Sequence, residues 1–493
     1  MLRIQLPRGG RAVGLVLGVL AYLAILFFAT PLRADPEWGA RPALAAAAAA
    51  LMAIWWLSEA IPIYWTAALP LLLFPASGVF GRGFFGDLAR TVDAYVDPYL
   101  FLFAGGMAIA GAMQQWNLHR RIALSVMKAI GTEPARLLAG LLAATAFISL
   151  WISNTATAAM MLPIGLALIA QIERSTGGRR LQHYGAALML AIAYGANVGG
   201  IGTKIGTVPN AQFAGFLERR GTPISFLEFM AVGLPFVLMF LPVVWLALWR
   251  IGRKEDFGAA VGAGVIADEL ARLGPVRRAE KLILGVFAAT ALVWIFGKGL
   301  GATLARAWPG AGITSAHVEG GVAVLAALVL LLLRAERQPV LALASLKAVP
   351  WETLLLLGGG FALAAGVQDS GLSAFMSRGL TGIRDLPPGL QVAIAALAAV
   401  GISAVASNTS TIAVLLVVLA EAVSPEALST VLFTATIAAS CDFALPAGTP
   451  PNAIVFGSGY VTIPRMAKTG VLLDLAAALL AAAWCWLVVD LVL

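Results

Sequence analysis

The chain has 493 residues, of which 60% are hydrophobic and 12% charged, with a formal net charge of +8. Soluble domains carry about 25% charged residues, so this composition excludes an ordinary soluble protein, and it equally excludes disorder, which needs low hydrophobicity. The 52 glycines and 25 prolines point to helices interrupted inside a bilayer, where broken backbone is tolerated only under cover of protein or a cavity.

In chain order, Arg3, Arg8 and Arg11 precede an apolar stretch at 12–31, which reads as a span rather than a cleavable signal peptide. Further spans are predicted at 43–58, 62–80 and 98–115. The apolar stretch at 137–170 has a polar break at mid-length and reads as a re-entrant hairpin. Spans follow at 186–215, 226–249, 282–300, 318–333 and 352–368, then a second hairpin at 389–422, then spans at 428–456 and 471–490. With the N-terminus in the cytoplasm, 22 of the 33 Lys and Arg residues fall on the cytoplasmic side and 10 on the other. This is the positive-inside bias, and it removes the case for nucleic acid as a partner. The remaining cation, Lys204, lies inside a predicted span.

Cys441 and Cys485 make no disulfide framework, and His119, His183 and His317 fit no metal-ligand spacing. His119 and His183 read as solvated cytoplasmic residues, Trp55 and Trp56 as part of an interfacial aromatic belt, and Glu59 as a cap or interfacial anchor. HExxH and GxSxG motifs are missing, which argues against an intramembrane enzyme.

An internal repeat organises the chain. Gly105-Gly106-Met107 resembles Gly359-Gly360-Phe361 at a displacement of 254, which also carries Gln114 to Gln368 and Ser153-Asn154-Thr155 to Ser407-Asn408-Thr409. Gly206-Thr207-Val208-Pro209-Asn210 resembles Gly448-Thr449-Pro450-Pro451-Asn452 at a displacement of 242. Five predicted crossings separate the hairpins, so the second copy is inverted. Inverted repeats with helices broken at the midplane mark secondary transporters.

The repeated motifs suit ions. Ser, Asn and Thr cap helix N-termini. At such a break one half-helix ends in free carbonyls that attract a cation, while the next begins with N–H groups that attract an anion. Pro and Gly unwind the Gly-Thr-x-Pro-Asn segments in the same way. Ser149 and Ser403 lie one turn before the motif serines, on the same face.

These residues, with Trp55-Trp56, Glu59-Ala60-Ile61-Pro62, Leu69-Pro70 and Phe74-Pro75, resemble the divalent anion/sodium symporters, which carry dicarboxylates, citrate or sulfate. The resemblance covers about residues 43–490. It implies an all-α polytopic membrane protein, an inverted-repeat transporter of the elevator type with about eleven transmembrane helices and two re-entrant hairpins, working as a homodimer among membrane lipids. It implies substrate contacts at Asn154, Thr155, Thr203, Asn408, Thr409 and Thr449. It also implies a first sodium site at Ser149, Ser153, Asn154 and Gly202, and a second at Ser403, Ala406, Asn408, Gly448 and Pro450.

Two residues depart from the family pattern. Lys204 stands where an apolar residue or proline is expected, and a lysine at the membrane centre costs about 2.5–3.5 kcal/mol on insertion scales. Its ammonium is expected to replace the first sodium and help neutralise the substrate, so that transport needs less sodium or becomes exchange. Asp442, just before the second unwound motif, is expected to pair with Lys204, take up a proton or cap broken backbone.

The expected organisation is N-terminal scaffold spans at 1–97, a first repeat at 98–225 belonging mainly to the transport domain, scaffold spans at 226–351 with a cytoplasmic loop at 250–281, and a second repeat at 352–493, again mainly transport domain. The expected function is secondary transport of small divalent anions, foremost C4-dicarboxylates (succinate, malate, fumarate), across the cell (inner) membrane by a sodium-coupled elevator, with no enzyme activity. The alternatives are a sodium-independent dicarboxylate exchanger, a sulfate or citrate transporter and, from another class, a channel.

Overall fold

The computed structural model describes residues 8–255, 263–347, 350–379 and 381–493; Arg3 and residues 256–262 of the 250–281 loop lie outside them. The described residues are helical almost throughout, with one short antiparallel ribbon, Arg334–Ala335 against Gln338–Pro339. Helix starts follow the local sequence. Pro98, Pro134 and Pro388 each occupy the first turn of a helix, where a missing N–H costs nothing. Asp97 caps Pro98–Gln115 by accepting from the Tyr99 amide at 2.9 Å. Ser225 and Glu228 form a reciprocal capping box at the head of Phe226–Gly252.

Among the described residues, six helices are by themselves long and apolar enough to cross a membrane, or eight if each of two bent pairs counts as one span. The expected number is larger for a physical reason. Two crossings are split, Gln182–Gly200 from Val208–Arg219 and Leu428–Ser440 from Pro450–Phe456, so neither crosses as one uninterrupted apolar helix. Arg41–Leu57 and Ile63–Ser77 are apolar but short. The first hairpin is Pro134–Ser149 and Asn154–Ser175, the second Pro388–Ser403 and Asn408–Ala422. Asn154–Ser175, expected as a returning limb, has the length of a full span. On the outer faces of the long helices Leu238, Phe296, Leu328, Leu472 and Leu479 stay exposed, as side chains do that meet lipid rather than water.

The repeat is visible in the packing. Gly105 lies so close to helix Ser315–Leu332 that a Cβ there would meet the Ala323 backbone at 2.4 Å. Its partner in the repeat, Gly359, lies equally close to helix Ile63–Ser77, where a Cβ would meet the Ala67 carbonyl at 2.3 Å. Each half therefore docks its glycine helix on a helix of the other half, and only glycine permits that approach. Two packing groups result. One gathers Arg41–Leu57, Ile63–Ser77, Pro98–Gln115, Arg278–Ala307, Ser315–Leu332 and Trp351–Asp369; the other gathers both hairpins, both split crossings, Phe226–Gly252 and Ile463–Val492.

Two expectations fail here. Trp56 is fully buried, its indole N–H donating to the Ile63 carbonyl at 3.0 Å, so it packs the core and does not line an interface. His119 is 7% exposed, its Nδ1 is 3.2 Å from the Met113 carbonyl, and burial lowers its pKa. The amphipathic helix Leu118–Ile130 turns this residue inward. His183 is half-buried, with its Nδ1 3.1 Å from Arg465. Glu59 pairs with Arg11 at 3.7 Å.

Candidate functional site

Each hairpin breaks over four residues, 150–153 and 404–407, and the second limb starts at the motif asparagine. The serine before it holds an extended backbone in both copies, φ −53° and ψ 144° at Ser153, φ −62° and ψ 134° at Ser407. The hydrogen bonds around the breaks repeat as well. Ser149 Oγ donates to the Ala196 carbonyl at 2.7 Å, and the Asn154 amide NH2 faces Ser149 Oγ at 2.9 Å, the Ala196 carbonyl at 3.0 Å and the Gly206 carbonyl at 3.2 Å. In the other half Ser403 Oγ donates to the Ala439 carbonyl at 2.7 Å and lies 2.7 Å from the Asn408 side chain. Ser149 and Ser403 thus each tie their hairpin tip to the neighbouring split crossing, at carbonyls one position apart in the register of the repeat, and each serine contacts the motif asparagine of its own tip.

The split crossings are held open by the motif asparagines. Asn210 Nδ2 donates to the carbonyls of Gly200 at 2.9 Å and Thr203 at 2.7 Å; Asn452 Nδ2 donates to those of Asp442 at 3.1 Å and Leu445 at 3.0 Å. One side-chain amide thereby satisfies carbonyls that the broken helix releases. Asn197 joins the halves. Its Nδ2 lies 3.0 Å from the Asp442 carbonyl and 3.1 Å from Thr449 Oγ1.

The structure places the expected site residues unevenly. Ser149, Gly202, Thr203, Ser403, Ala406, Asn408, Gly448 and Thr449 are buried, Ser153, Asn154 and Thr409 half-buried, and Thr155 and Pro450 exposed. The Thr203 hydroxyl donates to the Leu150 carbonyl and accepts from the Gly206 amide at 3.2 Å, which pins the unwound segment to the first hairpin tip. Thr449 Oγ1 caps its own half-helix by accepting from the Asn452 amide at 3.4 Å. Two clefts flank these elements. One of about 50 Å³ runs between Trp151–Ser153 and the Gln114 side of helix Pro98–Gln115. The other, about 220 Å³, is lined by Arg90, Arg219, Arg220, Gln368 and Glu421. The repeat-related glutamines thus open onto different clefts.

The expected Lys204–Asp442 pair does not form. Lys204 Nζ donates to both carboxylate oxygens of Glu319, at 2.9 and 3.2 Å, and both side chains are fully buried. Glu319 also accepts from the Phe226 amide at 3.0 Å, and Nζ lies 5.2 Å from the centre of the Tyr99 ring. A lysine with a carboxylate at hydrogen-bond distance has its charge met locally. Glu319, Asn197 and the bonding role of Asn210 and Asn452 escaped the sequence reading. Glu319 carried a signal, being the sole charge in the apolar stretch 318–333, the same oddity that singles out Lys204.

The family described as the sodium:sulfate symporter transmembrane region matches residues 11–492. The sodium-dependent dicarboxylate transporter SdcS of Staphylococcus aureus strains USA300 and MSSA476 is 34% identical over 483 residues, covering 96% of this chain and 90% of that protein. The crystal structure of the Alcanivorax borkumensis YdaH transporter superposes with a TM-score of 0.55 at 13% identity, covering 86% of this chain and 96% of that one. This last likeness is one of fold.

Proposed function

Because the chain belongs to the sodium:sulfate symporter transmembrane family, whose members are membrane transporters and not enzymes, we propose that it carries C4-dicarboxylates across the cell (inner) membrane, coupled to sodium. The observation that carries this reading is the doubled break, with Ser149, Asn154 and Ala196 repeated by Ser403, Asn408 and Ala439. Two opposed tips present N–H groups and hydroxyls to one dianion, and carbonyls and side-chain oxygens to the cations beside it. Sodium is cargo here. Ser149, Ser153, Asn154 and Gly202 would hold one ion, and Ser403, Ala406, Asn408, Gly448 and Pro450 the other. Asn154, Thr155, Asn408, Thr409 and Thr449 would face the anion; Thr203, bonded to hairpin backbone, holds the first tip in shape.

Alternating access proceeds by an elevator in which the group containing both hairpins and both split crossings moves against the group containing Pro98–Gln115 and Ser315–Leu332. The packing supports drawing the boundary this way. Phe226–Gly252 then travels with the moving group, and Pro98–Gln115 and Trp351–Asp369 stay with the scaffold. The homodimer and the cytoplasmic N-terminus belong to the same proposal; they rest on the family resemblance and on the positive-inside bias.

The exchanger reading loses its support, because it needs Lys204 to stand in for a sodium ion while the ammonium is bonded to Glu319. Uptake of radiolabelled succinate, sulfate and citrate into liposomes carrying the purified protein tests the substrate. Saturable succinate uptake, inhibited by malate and fumarate and only weakly by sulfate, is expected. Preference for sulfate would overturn the dicarboxylate assignment, and flux without saturation would indicate a channel.

A further inference from the structure

The unwound segment at 441–449 has its backbone polar groups closely accounted for. The Asp442 carbonyl accepts from the amides of Asn197 and Asn452, at 3.0 and 3.1 Å, and the Leu445 carbonyl from Asn452 at 3.0 Å. The Phe443 carbonyl accepts from the Tyr194 hydroxyl at 2.8 Å, and the Phe443 amide donates to Asp474 at 2.9 Å. One group is left over. The Asp442 carboxylate is 1% exposed, and neither of its oxygens has a hydrogen-bond partner among the described residues.

That carboxylate lies against Gly448. A Cβ on Gly448 would sit 1.8 Å from Asp442 Oδ2, so glycine is the residue that leaves room for it there. The buried lysine that could have neutralised it, Lys204, is committed to Glu319. A second buried carboxylate, Asp474, stands nearby on Ile463–Val492 and adds to the negative field. Two carboxylates without a cation are unfavourable in a dry interior. The repeat does not demand this arrangement, because the residue corresponding to Asp442 in the first half is Gly200.

We propose that the Asp442 carboxylate is a sodium ligand of the second break, adding a full negative charge to a site otherwise made of neutral oxygens. The proposal rests on reading that break as a sodium site. Small hard cations are bound by oxygen ligands, and their affinity rises with the number of charged ones. The second site therefore fills at lower sodium concentration than the first, before the dianion arrives. In the state seen here the pair at Lys204 and Glu319 leaves the first site without net charge, so this state carries one strong and one weak sodium site.

The test uses the purified full-length protein in detergent without substrate. Its thermal unfolding midpoint is followed as sodium chloride replaces choline chloride at constant ionic strength. Wild type should be stabilised by sodium. Asp442→Asn should need about ten- to a hundredfold more sodium for the same gain, the factor expected on losing a charged ligand. Asp474→Asn, which removes a nearby charge but no ligand, should shift the sodium dependence clearly less than Asp442→Asn does. If Asp442→Asn did not melt cooperatively, Asp442→Ser carries the same expectation. An unmoved sodium dependence in the Asp442 variant, or an equal shift in Asp474→Asn, would overturn the assignment. A wild type indifferent to sodium would overturn the sodium reading of both breaks, which is a separate failure.

Discussion

The two breaks share a skeleton and differ in charge. In each, a serine one turn before the tip bonds a carbonyl of the split crossing, an asparagine opens the second limb, and a motif asparagine bridges the unwound segment. The first break contains a cation answered by Glu319 across the boundary between the two packing groups; the second contains a carboxyl group, Asp442, that no side chain answers among the described residues. Backbone-satisfying residues are thus kept in duplicate, whereas charge is placed once. The symmetric part builds the site, and the asymmetric part distinguishes its two ends.

The largest effects are expected from the shared part. Asn154→Ala and Asn408→Ala should each abolish succinate uptake while the protein still elutes as a folded species on size exclusion. If one were silent and the other inactive, the two tips would not be equivalent. The charge pair comes next. Lys204→Leu alone and Glu319→Leu alone should each destabilise the protein by about 3–5 kcal/mol, because each strands the buried charge of the other. Lys204→Leu combined with Glu319→Leu should recover most of that loss in thermal melts, a coupling that a double-mutant cycle isolates. Additive losses would mean the two residues act apart. Smaller again, Asn210→Ala and Asn452→Ala should each cost about 1–3 kcal/mol by leaving carbonyls unpaired. Their costs should agree, since both amides bridge the same kind of gap; a large disparity in melting would break the symmetry argued from the hydrogen bonds.

The parts legible in the sequence were those written twice. Ser153-Asn154-Thr155 and its copy located both tips, because a polar tripeptide inside an apolar stretch stands out and its repetition fixes the displacement. The glycine pairs at 105 and 359 located the helices that dock the halves together. Lys204 was legible as an oddity, but its partner lies 115 residues away in sequence, and no local periodicity links an unwound segment to a helix of the other packing group. Glu319 obeyed the same rule of a charge within a span and went unremarked. Trp56 and His119 show a further limit. Their residue types suit an interface or solvent, and their burial comes from which way a helix turns against its neighbours, a tertiary choice. The split crossings resist span counting for a related reason: each is interrupted by an unwound segment, and Asn210 or Asn452 satisfies the backbone that the interruption releases.

The most direct test of sodium-coupled dicarboxylate transport sets equal succinate on both sides of a proteoliposome membrane and imposes an inward sodium gradient. Radiolabelled succinate should accumulate above equilibrium, and the accumulation should vanish when choline replaces sodium. Equal tracer entry with and without the gradient, dependent only on internal succinate, would contradict the account and assign the protein to exchange.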